Sequence, residues 1–366
     1  MTSLLCRPSR VFVSNGEVFF ADSGNHRVRK VLRNGQIVTI AGTGIAGYNG
    51  DDQPATNAQL NYPHGVFVSS RNEVYISETE GRRIRKILQN GNIVTVAGTG
   101  VYGYIGDNIP ATSAKLSSSS GIYVNDEGDE LYIADTNNHC IRKVLKNGNI
   151  TTISKQSIST PIDVSVVRNE IYVCYQGGHC IKKIDSNGVI TTIAGTGIPG
   201  RNESELATQC QLNYPSGMFV TEQQEVYIAD YYNHCVRKVL TNGKIITIAI
   251  TGEDTIGGDV IDHKPATKTN GPYSVFVDRE EIYIAEFLGN RIRKIDRNGI
   301  IKTIAGDVQG DKGYSGDVPF DFQKYPHIGP KKKQLIKPFP HAYHDLIVLC
   351  EEQGEYEPLT KKIKYP

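Results

Sequence analysis

The sequence predicts an all-β fold: a six-bladed β-propeller of four-stranded antiparallel blades, with a short irregular C-terminal tail. Three observations predict it. A pattern recurs six times, each copy contains an Asn-Gly pair, and the chain is rich in glycine, with 37 among 366 residues. Short strands with turns at even spacing are typical of propellers, in which packing the blades around an axis covers both faces of each sheet. The alternative is an open solenoid, which needs atypical polar repeats at its ends.

The six copies align at the end of their second predicted strand. The alignment point falls at residues 21, 77, 134, 174, 229 and 285, so neighbouring copies are 55–57 residues apart except for 40 between the third and fourth. Each copy contains four strands with distinct patterns. In the second copy these are an apolar strand at 65–68, an alternating strand at 73–78, a basic strand at 83–87 and a Thr- and Ile-rich strand at 93–97.

An Asn-Gly pair separates the third and fourth strands of every copy, at 34–35, 90–91, 147–148, 187–188, 242–243 and 298–299. Because this pair tolerates positive φ at both central positions of a two-residue turn, it predicts a tight hairpin. In a meander the connections alternate between two faces. The hairpin face carries the first-to-second and third-to-fourth turns. The loop face carries the second-to-third turns and, we expect, the long glycine-rich linkers between blades. Loop length and variety predict binding on the loop face.

The repeat pattern divides the chain into three parts. We predict an N-terminal leader at 1–9, the propeller at 10–317 and a tail without repeats at 318–366. No run of 18 apolar residues is present, so we expect no membrane span. The polar N-terminus and seven scattered cysteines favour a cytoplasmic protein with free thiols. We further expect a monomer.

The third copy carries a family resemblance. It reads Tyr-Ile-Ala-Asp-Thr-Asn-Asn-His-Cys-Ile-Arg-Lys-Val at 132–144, followed by Asn-Gly-Asn-Ile-Thr-Thr-Ile at 147–153. This pattern resembles the NHL repeat, and the resemblance extends over about residues 10–306. It implies a six-bladed propeller. It leaves the function open, because NHL-type propellers act as protein-binding platforms, RNA-binding platforms, sensor domains and, in a few cases, enzymes.

Our main hypothesis is a non-catalytic scaffold that binds protein partners through the loop face. Exposed tyrosine and arginine side chains are favoured anchors of protein interfaces. The candidate residues, chosen by their position in the predicted loops, are Tyr48, Arg82, Arg83, Tyr104, Asp107, Tyr231 and Tyr232.

The first alternative is an RNA-binding propeller. Its contacts would be basic residues at the start of the third strands, namely Arg27, Arg82, Arg83 and Arg291. The net charge of the whole chain is only +1. That balance excludes an evenly basic surface but leaves room for a local basic patch.

The second alternative is a metal-dependent enzyme. Propeller enzymes of the lactonase and lyase type resemble one another in holding a metal in the central channel. The first strands line that channel and begin here with Arg10, His64, Ser120, Asp163, Ser216 and Ser274. His64 and Asp163 could face each other there, but one histidine and one carboxylate are too few for zinc or calcium. We therefore predict no metal, no cofactor and no catalytic set.

Two further patterns have structural interpretations. Gly-x-Gly-x-x-Gly occurs at 42–47, 98–103 and 195–200, but no helix is predicted to follow it, so we expect no nucleotide cofactor. Histidines stand at equivalent turn positions in four copies, at 26, 139, 179 and 234. They lie too far apart to share one metal ion, so we expect them to belong to local turns with the nearby Asp and Asn residues.

Overall fold

A computed structural model describes residues 4–155, 160–202, 204–250, 264–265 and 269–306. Blades one to three contain β1 (Pro8–Ser14), β2 (Glu17–Asp22), β3 (Arg27–Val31) and β4 (Ile37–Ala41); β5 (Gln53–Pro54), β6 (Pro63–Val68), β7 (Val74–Glu78), β8 (Arg83–Ile87) and β9 (Asn92–Ala97); and β10 (Ile109–Pro110), β11 (Ser119–Val124), β12 (Leu131–Asp135), β13 (Cys140–Val144) and β14 (Asn149–Lys155).

Blades four to six continue the pattern. They contain β15 (Pro161–Val167), β16 (Glu170–Tyr175), β17 (Cys180–Ile184) and β18 (Ile190–Ala194); β19 (Pro215–Val220), β20 (Val226–Asp230), β21 (Cys235–Val239) and β22 (Ile245–Ile250); and β23 (Lys264–Pro265), β24 (Pro272–Asp278), β25 (Glu281–Glu286), β26 (Arg291–Ile295) and β27 (Ile300–Ala305). Helical segments in the described ranges are three-residue 3-10 turns. None of them has the length and apolar character needed to cross a bilayer.

The six sheets form a closed ring, which confirms the predicted propeller. In each sheet the four main strands are adjacent in sequence order and antiparallel. Strand β1 contacts both β6 and β24, and the other first strands contact one another in the same way around the axis. A hydrophobic cluster lies between each pair of neighbouring blades, including blades six and one. Each blade therefore buries both of its faces.

The Asn-Gly hairpins differ from the predicted turn type. In all six the glycine has positive φ and the preceding asparagine does not. In blade one the Gly35 amide donates to the Leu32 carbonyl at 2.8 Å, and the Leu32 amide donates to the Gln36 carbonyl at 2.8 Å. This is a three-residue hairpin, a type I turn followed by a glycine bulge. Asparagine contributes its side chain instead, because Asn34 Oδ1 accepts the Gln36 amide at 2.9 Å.

The long linkers follow the predicted course only in part. Strands β5 and β10 pair with β9 and β14, so each linker runs along the outer edge of the blade that follows it. The chain then returns between blades, where Ala55, Ala58 and Leu60 are buried in the cluster between blades one and two. The prediction that these linkers lie across the loop face holds for their glycine-rich first parts, since the Asn138 side chain in a loop-face turn donates to the Gly103 carbonyl at 2.9 Å, but it is wrong for the later residues. Apolar residues in the linker explain the difference, because they are buried only in the space between blades.

The seam between blades six and one is held by side chains. Strands of the two ends of the chain do not share a sheet among the described residues. Instead, Val11 and Phe20 pack with Tyr283 and Ile292, and Leu5 from the predicted leader joins the same cluster. The Arg7 amide also donates to Asn290 Oδ1 at 2.7 Å. The predicted boundary at residue 317 and the tail at 318–366 lie outside the described residues.

Candidate functional site

The second-to-third turns of the loop face are organised by the acid that ends the second strand. Asp135 Oδ1 accepts the Ser117 amide at 2.7 Å, and its Oδ2 accepts the Asn138 side chain at 2.8 Å. Asp22 makes the same pair of contacts in blade one. Burial raises the pKa of Asp135 and of Asp230 to about 6. The predicted local Asp–Asn turn is confirmed, and it also fixes the chain segment that leads into the first strand of the same blade.

Three of the four turn histidines, at 26, 179 and 234, connect neighbouring blades. His26 Nδ1 accepts the Tyr62 amide at 3.1 Å, and His179 Nδ1 accepts the Tyr214 amide at 3.2 Å. Nδ1 of each imidazole is therefore unprotonated, and the neutral ring carries its proton on Nε2. Asn290 has the same role in blade six, where its Oδ1 accepts the Arg7 amide. The expectation that these histidines act only within their own turn is thus too narrow.

Replacing His179 with asparagine is expected to make stability less sensitive to acid. Burial lowers the pKa of His179 below its ordinary value of 6.5. A histidine with a lowered folded-state pKa stabilises the fold above its unfolded-state pKa and loses that contribution as the pH falls through the folded value. An asparagine side chain at this position would keep a neutral acceptor, as Asn290 does. Urea unfolding of both proteins between pH 7.5 and pH 5 would measure this. A constant difference in unfolding free energy between them would contradict the prediction.

Aromatic side chains of blades five and six, and of the linker directly before blade five, meet on the loop face. Five of them form a continuous cluster, called here the aromatic cluster: Tyr214, Tyr231, Tyr232, Tyr273 and Phe287. Ring centroids of Tyr214 and Tyr232 are 5.0 Å apart, and those of Tyr273 and Phe287 are 4.9 Å apart. Tyr214 and Tyr232 are half-buried, whereas the other three are buried. The Arg7 guanidinium lies 6.0 Å from the Phe287 ring, so the cluster extends to the seam with blade one.

The structure separates the two neighbouring tyrosines that we predicted as anchors. Tyr231 is only 4% exposed and packs against Tyr273 with centroids 5.4 Å apart. It cannot act as an exposed anchor, which corrects the prediction. Tyr232 is half-buried and remains a candidate anchor for a protein partner. Sequence reasoning did not include Tyr62 and Tyr214, although an Asn-Tyr-Pro sequence precedes the first strand at both positions and marks them as equivalent.

Tyr48, Tyr104 and Asp107 have internal contacts at the outer side of the blades. The Tyr48 ring lies 3.9 Å from the Arg83 guanidinium carbon, and the Tyr104 ring lies 4.9 Å from that of Arg142. Asp107 accepts the Thr152 hydroxyl at 2.9 Å and pairs with Arg142 at 3.3 Å. These contacts attach the linkers to the blades. A role for the three residues in partner binding stays a prediction.

The arginines predicted for RNA binding do not form one exposed patch. Arg291 is 1% exposed, so its predicted contact with RNA is wrong. Arg27 donates to the Thr43 carbonyl at 2.7 Å, and Arg83 donates to the Thr99 carbonyl at 2.9 Å. Both guanidinium groups thereby support the linkers. Arg82 lies 6.0 Å from the exposed Tyr102 ring and remains partly accessible.

The central channel contains a buried ion pair that sequence reasoning missed. Arg10 forms a bidentate contact with Asp163, from blades one and four, and the NH2–Oδ1 distance is 2.6 Å. Asp163 also accepts the amides of Val164 and Met218 at 2.8 and 2.9 Å. His64 is buried next to Tyr273, with ring centroids 5.3 Å apart. Asp163 is thus matched by Arg10 rather than by His64.

A cleft of about 640 Å³ opens between blades one and two near the hairpin face. Its wall includes Phe19, Lys30 and Asn90. The charge of Lys30 is already paired with Glu17 at 2.8 Å. Within the described ranges, no group of three or more His, Cys, Asp or Glu side chains is arranged to hold a metal ion.

Comparisons with known proteins relate this architecture to a family. The NHL repeat model matches residues 119–144 and 212–239, which lie in blades three and five. NHL repeat-containing protein 2 of Gallus gallus is 31% identical over 156 residues, which are 40% of this chain and 21% of that protein. The matched region thus spans about a fifth of the curated relative's length.

Solved structures share the fold at low sequence identity. A catalytically inactive virginiamycin B lyase from Staphylococcus aureus, solved with quinupristin, aligns with a TM-score of 0.53 at 15% identity, over 84% of this chain and 87% of that one. An auxiliary nutrient binding protein from Bacteroides thetaiotaomicron aligns with a TM-score of 0.60 at 14% identity, over 82% and 70%. These likenesses concern the fold alone. The chain therefore contains NHL repeats, matched in blades three and five, within a propeller of six blades.

Proposed function

We propose that the chain is a non-catalytic interaction scaffold that binds protein partners through its loop face. The observation that carries the proposal is the position of Tyr214 and Tyr232, half-buried and 5.0 Å apart on that face. Tyrosine combines a large apolar ring with a polar tip and is enriched at protein interfaces. Beneath them, the buried rings of Tyr231, Tyr273 and Phe287 provide a packed base.

Rigid support of these tyrosines favours binding. Tyr214 is fixed through its amide by His179 Nδ1, and its backbone has φ +50° immediately before Pro215. Tyr232 follows Asp230, whose carboxylate accepts the Asn213 amide at 2.7 Å. Because the backbone on both sides is already ordered, a partner would encounter little of the entropy cost of ordering loops.

Alanine at Tyr232 or Tyr214 is expected to weaken partner binding by at least about tenfold, the effect of losing a central aromatic anchor. Quantitative affinity purification with the full chain, from lysate treated with ribonuclease, would identify partners that depend on these residues. Lys146→Ala, an exposed change near the hairpin face, is the matched control. Thermal unfolding of Tyr232→Phe and Tyr232→Ala would separate lost contact from lost fold.

Two outcomes would contradict the proposal. Partners that bind Tyr232→Ala and Tyr214→Ala as well as the parent, yet are lost with Lys146→Ala, would move the site to the hairpin face. Recovery that disappears with ribonuclease and falls steeply with salt would favour RNA as the ligand instead.

A further inference from the structure

The outer edges of most blades are covered by the linker that precedes them. Strands β5, β10 and β23 form a fifth strand in blades two, three and six. In blade five the linker forms a shorter contact, in which the Ile245 amide donates to the Glu205 carbonyl at 2.8 Å. The three fifth strands share a sequence, Asp-x-x-Pro-Ala-Thr, at 51–56, 107–112 and 262–267.

The contacts of this segment are the same in blades two and three. Along the backbone, the Asp52 amide donates to the Ile93 carbonyl at 2.9 Å, and the Ala55 amide donates to the Gly91 carbonyl at 3.0 Å. Asp51 Oδ1 accepts Arg85 at 2.7 Å and the Thr95 hydroxyl at 3.1 Å.

Blade three repeats the arrangement with its own residues. The Asn108 amide donates to the Ile150 carbonyl at 2.8 Å. Asp107 pairs with Arg142 at 3.3 Å and accepts the hydroxyl of Thr152. In both blades, the outer edge thus binds an extended segment of the chain itself through backbone hydrogen bonds and through one aspartate.

The linker before blade four is too short to form a fifth strand on the outer edge of that blade. Only four residues separate Lys155 from Thr160. Strand β18 lies three strands outward from β15, about 14 Å at ordinary strand spacing, and a linker would have to cover that distance twice. No described strand pairs with the outer side of β18. The equivalent residues nevertheless keep the same chemistry in this blade, because Lys182 and Thr192 are partners in register, as Arg85 and Thr95 are.

The edge of β18 also has the properties of a strand that accepts another. Val189 is 54% exposed and Ile190 is 39% exposed, and residues 189–193 contain no proline and no charge. Exposed edges of this kind are templates for strand addition unless they are blocked. Strand β4 of blade one also has no described fifth strand, but its Ile37 and Val38 are half-buried. The more accessible edge is therefore that of blade four.

We propose that the outer edge of β18 binds an extended acidic segment of a partner protein as an added antiparallel strand. The segment would have the form Asp-x-x-Pro-Ala-Thr. Its amides would donate to the carbonyls of Gly188 and Ile190, which correspond to Gly91 and Ile93 in blade two. Its carboxylate would meet the Lys182 ammonium and the Thr192 hydroxyl.

A labelled synthetic peptide with the sequence of residues 46–57 provides the probe. Fluorescence anisotropy with the full chain is expected to show saturable binding. Ile190→Pro should weaken it at least tenfold, because proline removes the outward amide and blocks pairing while edge strands tolerate it. A peptide with Asn at the position of Asp51 should also bind at least tenfold more weakly. Ile37→Pro, the same change at the edge of blade one, is the matched control and should leave binding unchanged.

Further variants keep the test decisive. If Ile190→Pro lowers the melting temperature, Thr192→Asp is the variant to use in its place. Thr192 is exposed, and an aspartate there should repel the carboxylate of the peptide. Tyr232→Ala should not affect the peptide, which separates this site from the loop face. Absence of saturable binding up to about 1 mM would overturn the proposal. Binding that is lost with Ile37→Pro but not with Ile190→Pro would also overturn it. Dimerisation of the parent chain that Ile190→Pro abolishes would identify a second copy as the occupant and contradict it too.

Discussion

Replacing Asp163 with asparagine is expected to lower the free energy of unfolding by about 3–5 kcal/mol, because it leaves a buried charge without its partner. Asp163 is fully buried, and Arg10 is 14% exposed. The two residues join blade one to blade four through the channel, so the loss acts on the whole ring. Urea unfolding followed by tyrosine fluorescence would measure it, since the chain has 20 tyrosines and no tryptophan.

Two comparisons define the source of this effect. Lys244→Ala removes an ion pair whose side chains are 52% and 80% exposed, so it should change the free energy of unfolding very little. Adding Arg10→Met to Asp163→Asn should recover part of the loss, because no unpaired buried charge then remains. A cost for Asp163→Asn no larger than that of Lys244→Ala would show that the buried pair contributes little.

Replacing Gly195 with alanine is expected to cost about 3 kcal/mol or more, from backbone strain together with a steric clash. Gly195 has φ +89°, and an added Cβ would run into the His179 carbonyl oxygen and lie 2.8 Å from the Cα of Cys180. Backbone atoms cannot move aside without disturbing the turn that fixes Tyr214. Gly42 and Gly98 approach the equivalent carbonyls in blades one and two. The glycine pattern that matches the dinucleotide fingerprint in letters thus reflects close backbone packing.

Gly188→Ala is the matched control for Gly195→Ala. Gly188 also has positive φ, +80°, but nothing lies within 4 Å of the Cβ that alanine would add. Its expected cost is about 1 kcal/mol, from the left-handed conformation alone. The difference between the two variants in thermal or urea unfolding measures the clash. Equal losses would mean that the turn below Gly195 adjusts freely.

The ring of blades could be predicted from the sequence because the patterns that specify its strands and turns are short and recur in every copy. Each Asn-Gly turn and each alternating strand is specified within its own copy, and six copies leave one way to bury both faces. The type of the hairpin turn was not predicted, since Asn34 supplies a side-chain acceptor instead of a left-handed backbone. Composition shows that a turn is present more reliably than it shows which residue adopts positive φ.

Features that join distant copies were not predictable in the same way. Arg10 and Asp163 are 153 residues apart, and only the closed ring brings them together. Tyr231 has the character of an exposed loop residue in sequence, yet Tyr273 and Phe287 from the next blade cover it. The later parts of the linkers were misplaced because the pairing of Gln53 with Ile93 depends on the edge of the following blade. Position in the repeat predicts the blade to which a residue belongs, but not its neighbours from other blades.

The seam between blades six and one gives the ring a preferred place to open. Five blade interfaces are bridged by the chain itself, so separating two blades there leaves them tethered at high effective concentration. At the seam, the described contacts are non-covalent: the packing around Val11, Phe20, Tyr283 and Ile292, and the hydrogen bonds from the Arg7 amide to Asn290 and from the Val11 amide to Ser274 Oγ. Thermal fluctuations should therefore part the ring there first, and amide hydrogens of β1 and β24 should exchange with solvent sooner than those of β11 and β15. The propeller is thus a ring with one weaker interface. A ligand that contacts both Arg7 and Phe287 would hold the two sides of this interface together.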